Sequence, residues 1–343
     1  MVSWHHAIIA NDSHVTTTRG YLVHRRKVVI TEHIDSAGLE ILRRETELLY
    51  LPDAPGSTLA TVIGDAEGIG VRLAPVTPEL IAVAPNLRVI AKHGVGMDNI
   101  DVAAATARGI VVVNTPNANS VSVSEHILSL MLCLANHVCE ADGDLKSGRF
   151  RTRAAYVGVE LKGKTMGVVG LGRIGSETAR KCGLGFGMRV IAHDPYVADE
   201  KFESTGSVRA DTLGQLLEES DFVALCLPLD ASTAGIIGAR ELSLMKSGSY
   251  FINTARGGLL DEAALYETLL ANKIAGAAID TFVEEPPPVD TPLLSLPNLI
   301  ATPHVGGQTA DAMRRMSTDM AEEIVRVLQD KRPLNSFNPE VKK

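Results

Sequence analysis

The sequence predicts an α/β protein that contains two parallel sheets, each covered by helices on both faces. Short apolar runs alternate with helix-forming segments from Lys27 onward, and strands that alternate with helices form parallel sheets. A second series of such runs begins at Thr165 and leads into a Gly-x-Gly-x-x-Gly turn. Because a chain of 343 residues is longer than a typical domain with a single hydrophobic core, we expect two domains.

The first α/β unit extends from Lys27 to about Pro116. Residues 1–26 precede it and show no periodicity, so we interpret them as an extension outside the fold. The predicted strands of this unit cover 27–30, 48–50, 68–73, 87–91 and 110–113, and its predicted helices cover 36–45, 77–84 and 102–108.

A long apolar helix pattern over 121–139 follows the first unit. Its length suits a helix that passes from one domain to the other and packs against a second subunit, which predicts a homodimer. One face of the pattern carries Ile127, Leu130, Met131, Leu134 and Val138.

The second α/β region begins after a basic loop at 146–153. Proline fits neither a helix interior nor a central strand, so the proline-rich stretch 285–297 predicts a surface loop. An amphipathic helix pattern at 310–328 closes the region. The predicted strands are 165–169, 189–192, 222–227, 249–253, 275–280 and 299–301, with a helix at 176–181.

These patterns predict a domain order in which one domain is inserted into the other. The helix at 310–328 most simply returns to pack on the first sheet. We therefore expect a substrate domain from 27–119 and 310–335, and an inserted domain from 120–309. The cleft between two such domains is the natural place for a ligand.

Composition excludes several classes of protein. The 41 acidic residues exceed the 33 basic ones and no basic stripe is interleaved with aromatic residues, which argues against nucleic acid as a partner. The N-terminus lacks a secretory layout and no apolar run has membrane-spanning length, so we expect a cytoplasmic protein without a membrane partner. We predict no metal site, and we interpret the cysteines as reduced thiols, namely Cys133, Cys139, Cys182 and Cys226.

The glycine-rich turn predicts a dinucleotide site. Gly170 lets the chain turn sharply, Gly172 lets a pyrophosphate approach the backbone, and Gly175 lets helix and strand pack closely. The N–H groups of the following helix favour phosphate. Asp194 lies 194 − 175 = 19 residues after the last glycine, where a carboxylate accepts hydrogen bonds from the ribose hydroxyls and repels a 2′-phosphate. The cofactor is therefore expected to be NAD rather than NADP.

Three ionisable residues follow predicted strands of the second region: Arg256, Glu285 and His304. The carboxyl ends of parallel strands meet at one edge of a sheet, so these side chains can converge. An arginine grips a carboxylate, a histidine exchanges a proton, and an acid holds the imidazole. Each residue alone has a structural alternative, as a capping cation, a solvated loop acid or a turn histidine.

At these motifs the sequence resembles the D-isomer-specific 2-hydroxyacid dehydrogenases. The resemblance covers about 27–332 and implies an NAD-dependent oxidoreductase that interconverts a 2-keto acid and a D-2-hydroxy acid. It also implies two doubly wound domains, a Rossmann NAD domain inserted into a flavodoxin-like substrate domain. The motifs that carry it are Lys92-His93-Gly94-Val95-Gly96-Met97-Asp98-Asn99, Asn114-Thr115-Pro116, the glycine-rich turn, Asn253-Thr254-Ala255-Arg256-Gly257, residues 280–286 and residues 302–307.

The resemblance also assigns roles to individual positions. It gives catalysis to Arg256, Glu285 and His304, and it selects Glu285 over its neighbour Glu284. Substrate binding falls to Arg256, to the backbone of Val95 and Gly96, and to Arg72. The implied cofactor contacts are Gly170, Gly172, Arg173, Ile174, Gly175, Asp194, Leu227, Pro228, Thr233, Thr254, Ala255, Asp280, His304, Gly306 and Gly307.

Alternatives stay open for several of these positions. Arg72 is equally well a surface charge at a strand end, and Asp280 has an N-cap as its structural alternative. We interpret His93 and His126 as core or helix histidines rather than catalysts.

The substrate and the wider class of function also have alternatives. Hydroxypyruvate, glyoxylate, 3-phosphoglycerate and longer 2-keto acids all fit the resemblance. Ala74 stands where phosphoglycerate dehydrogenases often have a second arginine, which weakens the third of these. A second class of function is an NAD(H)-sensing binding protein like the corepressors of the family. A third, weaker one is a degenerate structural paralogue.

Overall fold

A computed structural model of the chain describes residues 25–341 and contains two parallel sheets. Residues 1–24 of the expected extension lie outside the described residues. Arg25 and Arg26 belong to the described part, and Arg26 contacts the first sheet. Its carbonyl accepts a hydrogen bond from the Glu47 amide at 2.9 Å, and its guanidinium pairs with Glu67 at 2.5 Å.

The first sheet has five parallel strands in the order β2-β1-β3-β4-β5, the order of flavodoxin-like folds. This confirms the predicted fold class for the first unit. The strands are β1 Lys27–Ile30, β2 Glu47–Tyr50, β3 Gly68–Val71, β4 Val89–Lys92 and β5 Val111–Val113. The helices that alternate with them are α1 Ser36–Glu45, α2 Leu59–Val62, α3 Pro78–Ala82 and α4 Val102–Ala107.

Two helices then lead into the second sheet, which has seven parallel strands. They are α5 Ser120–Asn136 and α6 Val138–Lys146. The strands are β6 Thr165–Val169, β7 Arg189–His193, β8 Val208–Arg209, β9 Phe222–Leu225, β10 Tyr250–Asn253, β11 Gly276–Ile279 and β12 Leu299–Ala301. The order β8-β7-β6-β9-β10-β11-β12 is the doubly wound Rossmann order, extended by one strand.

The remaining helices cover the second sheet and return to the first. Those of the second sheet are α7 Arg173–Arg180, α8 Asp199–Thr205, α9 Leu213–Glu219, α10 Ala239–Leu244 and α11 Glu262–Leu270. The last helix, α12 Ala310–Leu328, coincides with the predicted segment. Its Met320 and Ile324 share a buried cluster with Val28 and Val89 of the first sheet, so the chain does return to the first sheet.

The long helix predicted over 121–139 is wrong at its C-terminal end. α5 ends at Asn136, and His137 adopts a left-handed conformation with φ 53° that caps it. α6 then starts at a bend of 63°. The apolar Val138 continues the sequence pattern but is 49% exposed, so periodicity alone did not reveal the break.

Other differences concern short elements. The predicted strands 68–73 and 222–227 end two residues earlier than expected. The edge strand β8 was not predicted, because it has only two residues and both are exposed, so it forms no apolar run in the sequence. Helices α8 to α11 were not predicted either. Part of the expected basic loop is helical, since α6 reaches Lys146 and a 3₁₀ turn covers Phe150–Ala155.

Within residues 25–341, no single helix is both long and apolar enough to cross a membrane, whereas the bent pair α5 and α6 passes the same test by length and composition only. All four cysteines are free thiols.

Candidate active site

The predicted catalytic residues all follow strands of the second sheet at its carboxyl edge. Arg256 follows β10, Glu285 follows β11 and His304 follows β12. These three strands are neighbours in the sheet, so their ends bring the side chains to one cleft.

His304 and Glu285 form a direct pair. Nδ1 of His304 lies 2.8 Å from Oε2 of Glu285. A carboxylate only accepts hydrogen bonds, so Nδ1 carries the proton and Nε2 is the ring nitrogen available to a bound molecule. The other Glu285 oxygen accepts a hydrogen bond from the Phe282 amide at 3.1 Å, which fixes the acid. The two side chains are 44% and 38% exposed, as a group that exchanges protons with a ligand requires.

Asp280 holds the turn that carries His304. Its backbone oxygen accepts from the His304 amide, Oδ1 accepts from the Val305 amide and Oδ2 accepts from the Gly306 amide, each at 2.8 Å. His304 has a φ of 50°, a left-handed conformation that costs free energy in a histidine and that these bonds stabilise. Asp280 is thus a support of the turn in this structure and not an N-cap.

A polar network from α5 supports the same turn. The Thr302 hydroxyl donates to Oδ1 of Asp280 at 2.6 Å, and Nε2 of His126 lies 3.1 Å from that hydroxyl. Ser122 donates to the Gly306 carbonyl at 2.6 Å. Burial raises the pKa of Asp280, but hydrogen bonds from His126, Thr302 and the two amides outweigh it and lower the pKa below its usual value. The carboxylate is therefore ionised at neutral pH.

Arg256 reaches across the cleft to the first sheet. Its Nε donates to Oδ2 of Asp98 at 3.0 Å, and Nη1 donates to the Ala255 carbonyl at 2.7 Å. Asn253 stabilises the turn before it, because its side chain donates to the Arg256 carbonyl at 2.9 Å and accepts from the Ala255 amide at 3.0 Å.

The structure brings Val95 and Gly96 to Arg256. A Cβ atom on Gly96 would lie 1.7 Å from Nη2 of Arg256, so a larger residue there would force the guanidinium to move. Asn114 donates to the Val95 carbonyl at 2.9 Å, and the Thr115 hydroxyl accepts from the Gly94 amide at 3.0 Å. The loop after β4 is therefore fixed with its backbone against the arginine.

Arg72 lies at the end of β3 and contacts both sides of the cleft. Nη1 donates to the His33 carbonyl at 3.0 Å and Nη2 donates to Oε1 of Gln308 at 3.2 Å. Its backbone amide donates to Glu32 at 2.8 Å. Burial raises the pKa of Glu32, but hydrogen bonds from Thr31 and from the amides after β3 lower it overall. Arg72 is thus a bridging residue in this structure rather than a free surface charge.

Lys92, the last residue of β4, is a further charged residue beside Arg72. It is only 9% exposed and donates to the Arg72 carbonyl and to the Asn99 side chain. Burial lowers its pKa to about 8, with Asp98 raising it and Arg256 lowering it. Sequence reasoning missed Lys92, Asp98 and Glu32 as site residues. Lys92 is the last residue of β4, Asp98 lies in the loop after it, and Glu32 follows β1, so their places at strand ends were the available signal.

The three glycines of the predicted dinucleotide turn lie in three different surroundings. Gly170 has a φ of 92°, and a Cβ there would lie 2.7 Å from the Cys226 carbonyl. A Cβ on Gly175 would lie 2.0 Å from the Gly170 carbonyl, so the close approach of α7 to the turn requires glycine. A Cβ on Gly172 would meet no atom within 4 Å. Open space therefore lies where a phosphate would contact the N-terminus of α7.

The other predicted cofactor residues line the same edge. Oδ2 of Asp194 accepts from the Leu171 amide at 2.8 Å, which places this carboxylate beside the glycine-rich turn. The Thr254 hydroxyl is buried and has no partner among the described residues, so it offers a hydrogen bond to a ligand. Thr233 closes its loop by donating to the Pro228 carbonyl at 2.8 Å. Arg173 and Ile174 are the first residues of α7, and Leu227, Ala255 and Gly307 lie in the loops after β9, β10 and β12.

These observations fit a dinucleotide. The turn is open at Gly172, a buried hydroxyl lacks a partner at Thr254, and an acid stands at the end of β7. In the part of the chain that the structure describes, no group of three or more His, Cys, Asp or Glu side chains is arranged to hold a metal ion. Fold and site together define a dinucleotide-binding α/β protein with an arginine, an acid and a histidine at the cleft.

Comparison with known proteins gives the family. Residues 128–306, just over half of the chain, match the model of the D-isomer specific 2-hydroxyacid dehydrogenase, NAD binding domain. The chain is 42% identical over 313 residues to D-3-phosphoglycerate dehydrogenase of Methanocaldococcus jannaschii, covering 91% of this chain and 59% of that protein. It is 40% identical over 308 residues to hydroxypyruvate reductase of Thermotoga maritima, covering 89% of this chain and 99% of that protein.

A solved structure shows the same fold. The NADPH-dependent glyoxylate/hydroxypyruvate reductase of Sinorhizobium meliloti, in complex with citrate, superposes with a TM-score of 0.82 at 30% identity over 93% of this chain and all of that one. The chain belongs to the D-isomer specific 2-hydroxyacid dehydrogenase family and contains the NAD-binding domain of that family. It spans 59% of the length of the M. jannaschii phosphoglycerate dehydrogenase.

Proposed function

We propose that this protein is an NAD-dependent dehydrogenase that interconverts a 2-keto acid and its D-2-hydroxy acid. The observation that carries the proposal is the His304–Glu285 pair at 2.8 Å, which lies at the same sheet edge as Arg256. A protonated imidazole, a guanidinium and a dinucleotide site form a sufficient set for reduction of a keto acid. Hydroxypyruvate, glyoxylate and 3-phosphoglycerate are the candidate substrates, and relatives named for these reactions support the class.

In this proposal each substrate-binding and catalytic residue has its own role. Arg256 and the Val95 and Gly96 amides bind the substrate carboxylate, and Arg72 binds the distal part of the substrate. His304 donates a proton from Nε2 to the oxygen on C2 during reduction and removes it during oxidation. Glu285 orients the ring and balances its positive charge. NADH, when bound, supplies the hydride.

The cofactor residues have their own part in the proposal. Gly170, Gly172, Arg173, Ile174 and Gly175 hold the pyrophosphate. Asp194 binds the adenosine ribose and selects NAD over NADP, while the loop with Leu227, Pro228 and Thr233 lies near the adenine. The nicotinamide side is formed by Thr254, Ala255, Asp280, His304, Gly306 and Gly307. Oδ2 of Asp280 accepts from the Gly306 amide, and a carboxylate oxygen can accept a second hydrogen bond, so a role at the carboxamide is compatible with its role in the turn.

The proposed organisation of the chain follows the two sheets. The substrate domain comprises 27–119 and 310–335, and the NAD domain comprises 120–309. We also propose a cytoplasmic homodimer, which size-exclusion chromatography with light scattering would test. The relatives reported above carry the names of enzymes, which gives no support to the NAD(H)-sensing alternative.

The loss of NADH absorbance tests the proposal across glyoxylate, hydroxypyruvate, phosphohydroxypyruvate, pyruvate and branched 2-keto acids. Rapid turnover of at least one member, with a D-configured product in chiral chromatography, is expected. Tight NADH binding without turnover of any member would contradict the proposal.

A further inference from the structure

We infer that Asp98 is a positioning residue that fixes the guanidinium of Arg256 for the substrate carboxylate. This inference rests on the proposed substrate role of Arg256. Asp98 lies in the loop after β4 of the first sheet, whereas Arg256 follows β10 of the second sheet. The contact between them, 3.0 Å from Nε to Oδ2, therefore spans the cleft.

The hydrogen bonds of Arg256 divide its guanidinium into two ends. A guanidinium is planar and has five N–H donors in fixed directions. Asp98 holds Nε, and the Ala255 carbonyl holds Nη1 at 2.7 Å. Two contacts at different nitrogens fix the plane. The Nη2 end is directed at Gly96, where a Cβ atom would approach to 1.7 Å.

This division leaves Nη2, the nitrogen beside Gly96, for the carboxylate of a substrate. A carboxylate bound by the Val95 and Gly96 amides meets the Nη2 end and not the Nε that Asp98 holds. Asp98 therefore orients Arg256 without occupying the same donors. Oδ2 of Asp98 also lies beside Gly96, 2.7 Å from the same Cβ position, so the KM of an Asp98 variant separates a positioning role from competition with the substrate carboxylate.

The structure fixes Asp98 as well. The neighbouring Asn99 donates from its side chain to the Ala74 carbonyl at 2.7 Å and accepts from the ammonium of Lys92. Lys92 also donates to the Arg72 carbonyl. The loop that carries Asp98 is thus tied to the ends of β3 and β4. The Asp98 side chain itself is 62% exposed, so its position depends on the loop and on its partner Arg256.

Asp98→Asn is the direct test, and Asp101→Asn is its matched control. Asp101 lies in the same loop and caps α4, with Oδ1 accepting from the Ala104 amide at 2.7 Å. Asparagine caps a helix as well as aspartate does, so the control makes the same charge change without losing the cap. We expect the KM for the 2-keto acid to rise about tenfold in Asp98→Asn, the range for a charge-assisted hydrogen bond, with the KM for NADH unchanged. Asp101→Asn is expected to match the wild type.

A double-mutant cycle shows whether Asp98 acts through Arg256. In an Arg256→Lys background the guanidinium is absent, so Asp98→Asn should add almost no further change in KM. Inhibition by oxamate, a keto-acid analogue that accepts no hydride, should weaken in parallel with KM in the single variant. Equal melting temperatures would show that both variants fold.

Three results would overturn the inference while leaving the proposed function in place. An unchanged KM in Asp98→Asn would do so, and so would a lower KM, which would identify Asp98 as a competitor of the substrate. Fully additive effects in the double mutant would also contradict it. A wild-type protein without turnover on any 2-keto acid would refute the proposed function and this inference together, whereas an active wild type with unaffected Asp98 variants would refute this inference alone.

Discussion

Oε2 of Glu285 accepts a hydrogen bond from Nδ1 of His304 at 2.8 Å, and Oε1 of the same acid accepts from the Phe282 amide at 3.1 Å. The Glu285 carboxylate is thus held by a backbone amide of its own loop, and it holds the imidazole of His304 in the loop after the next strand. This arrangement fixes the tautomer of the ring, since the nitrogen that faces the acid keeps its proton. The left-handed φ of 50° at His304 is stabilised separately, by the hydrogen bonds of the turn to Asp280.

Glu285→Gln should lower kcat at least about tenfold, because a neutral amide orients the imidazole but does not balance the charge of its protonated form. Steady-state kinetics with NADH and the best keto acid would measure this. The adjacent Glu284→Gln provides the matched control, and we expect it to behave as the wild type. A larger loss of kcat in Glu284→Gln than in Glu285→Gln would show that Glu284, and not Glu285, has this role.

Asp194→Asn should reduce the preference for NADH over NADPH about tenfold, since the negative charge beside the ribose is removed. Asparagine keeps one side-chain oxygen that can accept from the Leu171 amide, and it loses the other oxygen, which accepts from the Tyr196 amide at 3.0 Å. The ratio of kcat/KM for the two cofactors gives the answer. Asp199→Asn, which removes an exposed acid paired with Arg209, serves as the control. An unaltered ratio in Asp194→Asn would show that another group selects the cofactor.

Gly172→Ala and Gly175→Ala should separate cofactor binding from stability. A Cβ on Gly172 meets open space, so we expect an unchanged melting temperature and weaker NADH binding. A Cβ on Gly175 would lie 2.0 Å from a backbone carbonyl, so the free energy of unfolding should fall by about 1–3 kcal/mol or more. Urea denaturation and fluorescence titration with NADH would measure the two effects. Equal stability loss in both variants would contradict the geometry.

His93 should make stability depend on pH below neutrality. It is 5% exposed, and burial, followed by the positive charge of Arg72, lowers its pKa from 6.5 to about 4. Between these values the unfolded chain binds the proton and the folded protein does not, so stability falls as pH decreases from 6.5 to about 4. Between the two pKa values, His93 changes the free energy of unfolding by at most about 1.4 kcal/mol per pH unit.

His93→Gln should remove that contribution, whereas His33→Gln, at an exposed site beside Tyr50, should keep it. Urea denaturation at a series of pH values would show the difference between the variants. A pH dependence in His93→Gln equal to that of the wild type would refute the assignment.

Site residues whose positions follow from the local sequence pattern could be predicted from the sequence. The strand, turn and helix around Gly170, Gly172 and Gly175 have a fixed spacing with a mechanical reason for each glycine. The structure shows the expected constraints at Gly170 and Gly175, and open space at Gly172. Polar residues directly after buried strands could also be predicted to converge, because parallel strands share one carboxyl edge. Arg256 and His304 were predicted in this way, whereas the choice of Glu285 over Glu284 came from the family resemblance.

Contacts across the cleft could not be predicted in the same way. Asp98 and Arg256 are far apart in sequence and belong to different sheets, and no local pattern records that one holds the other. The same is true of His126, which periodicity places on a helix but whose partner Thr302 follows a distant strand. The bend at His137 was hidden because the apolar pattern continues through it.

The turnover of a 2-keto acid with NADH by the wild type and by His304→Gln tests the central claim most directly. Glutamine keeps a polar side chain but cannot donate and recover a proton at neutral pH, so we expect kcat to fall at least about 100-fold. NADH affinity, measured by fluorescence titration, should change little. Wild-type turnover retained in His304→Gln would contradict proton transfer by His304.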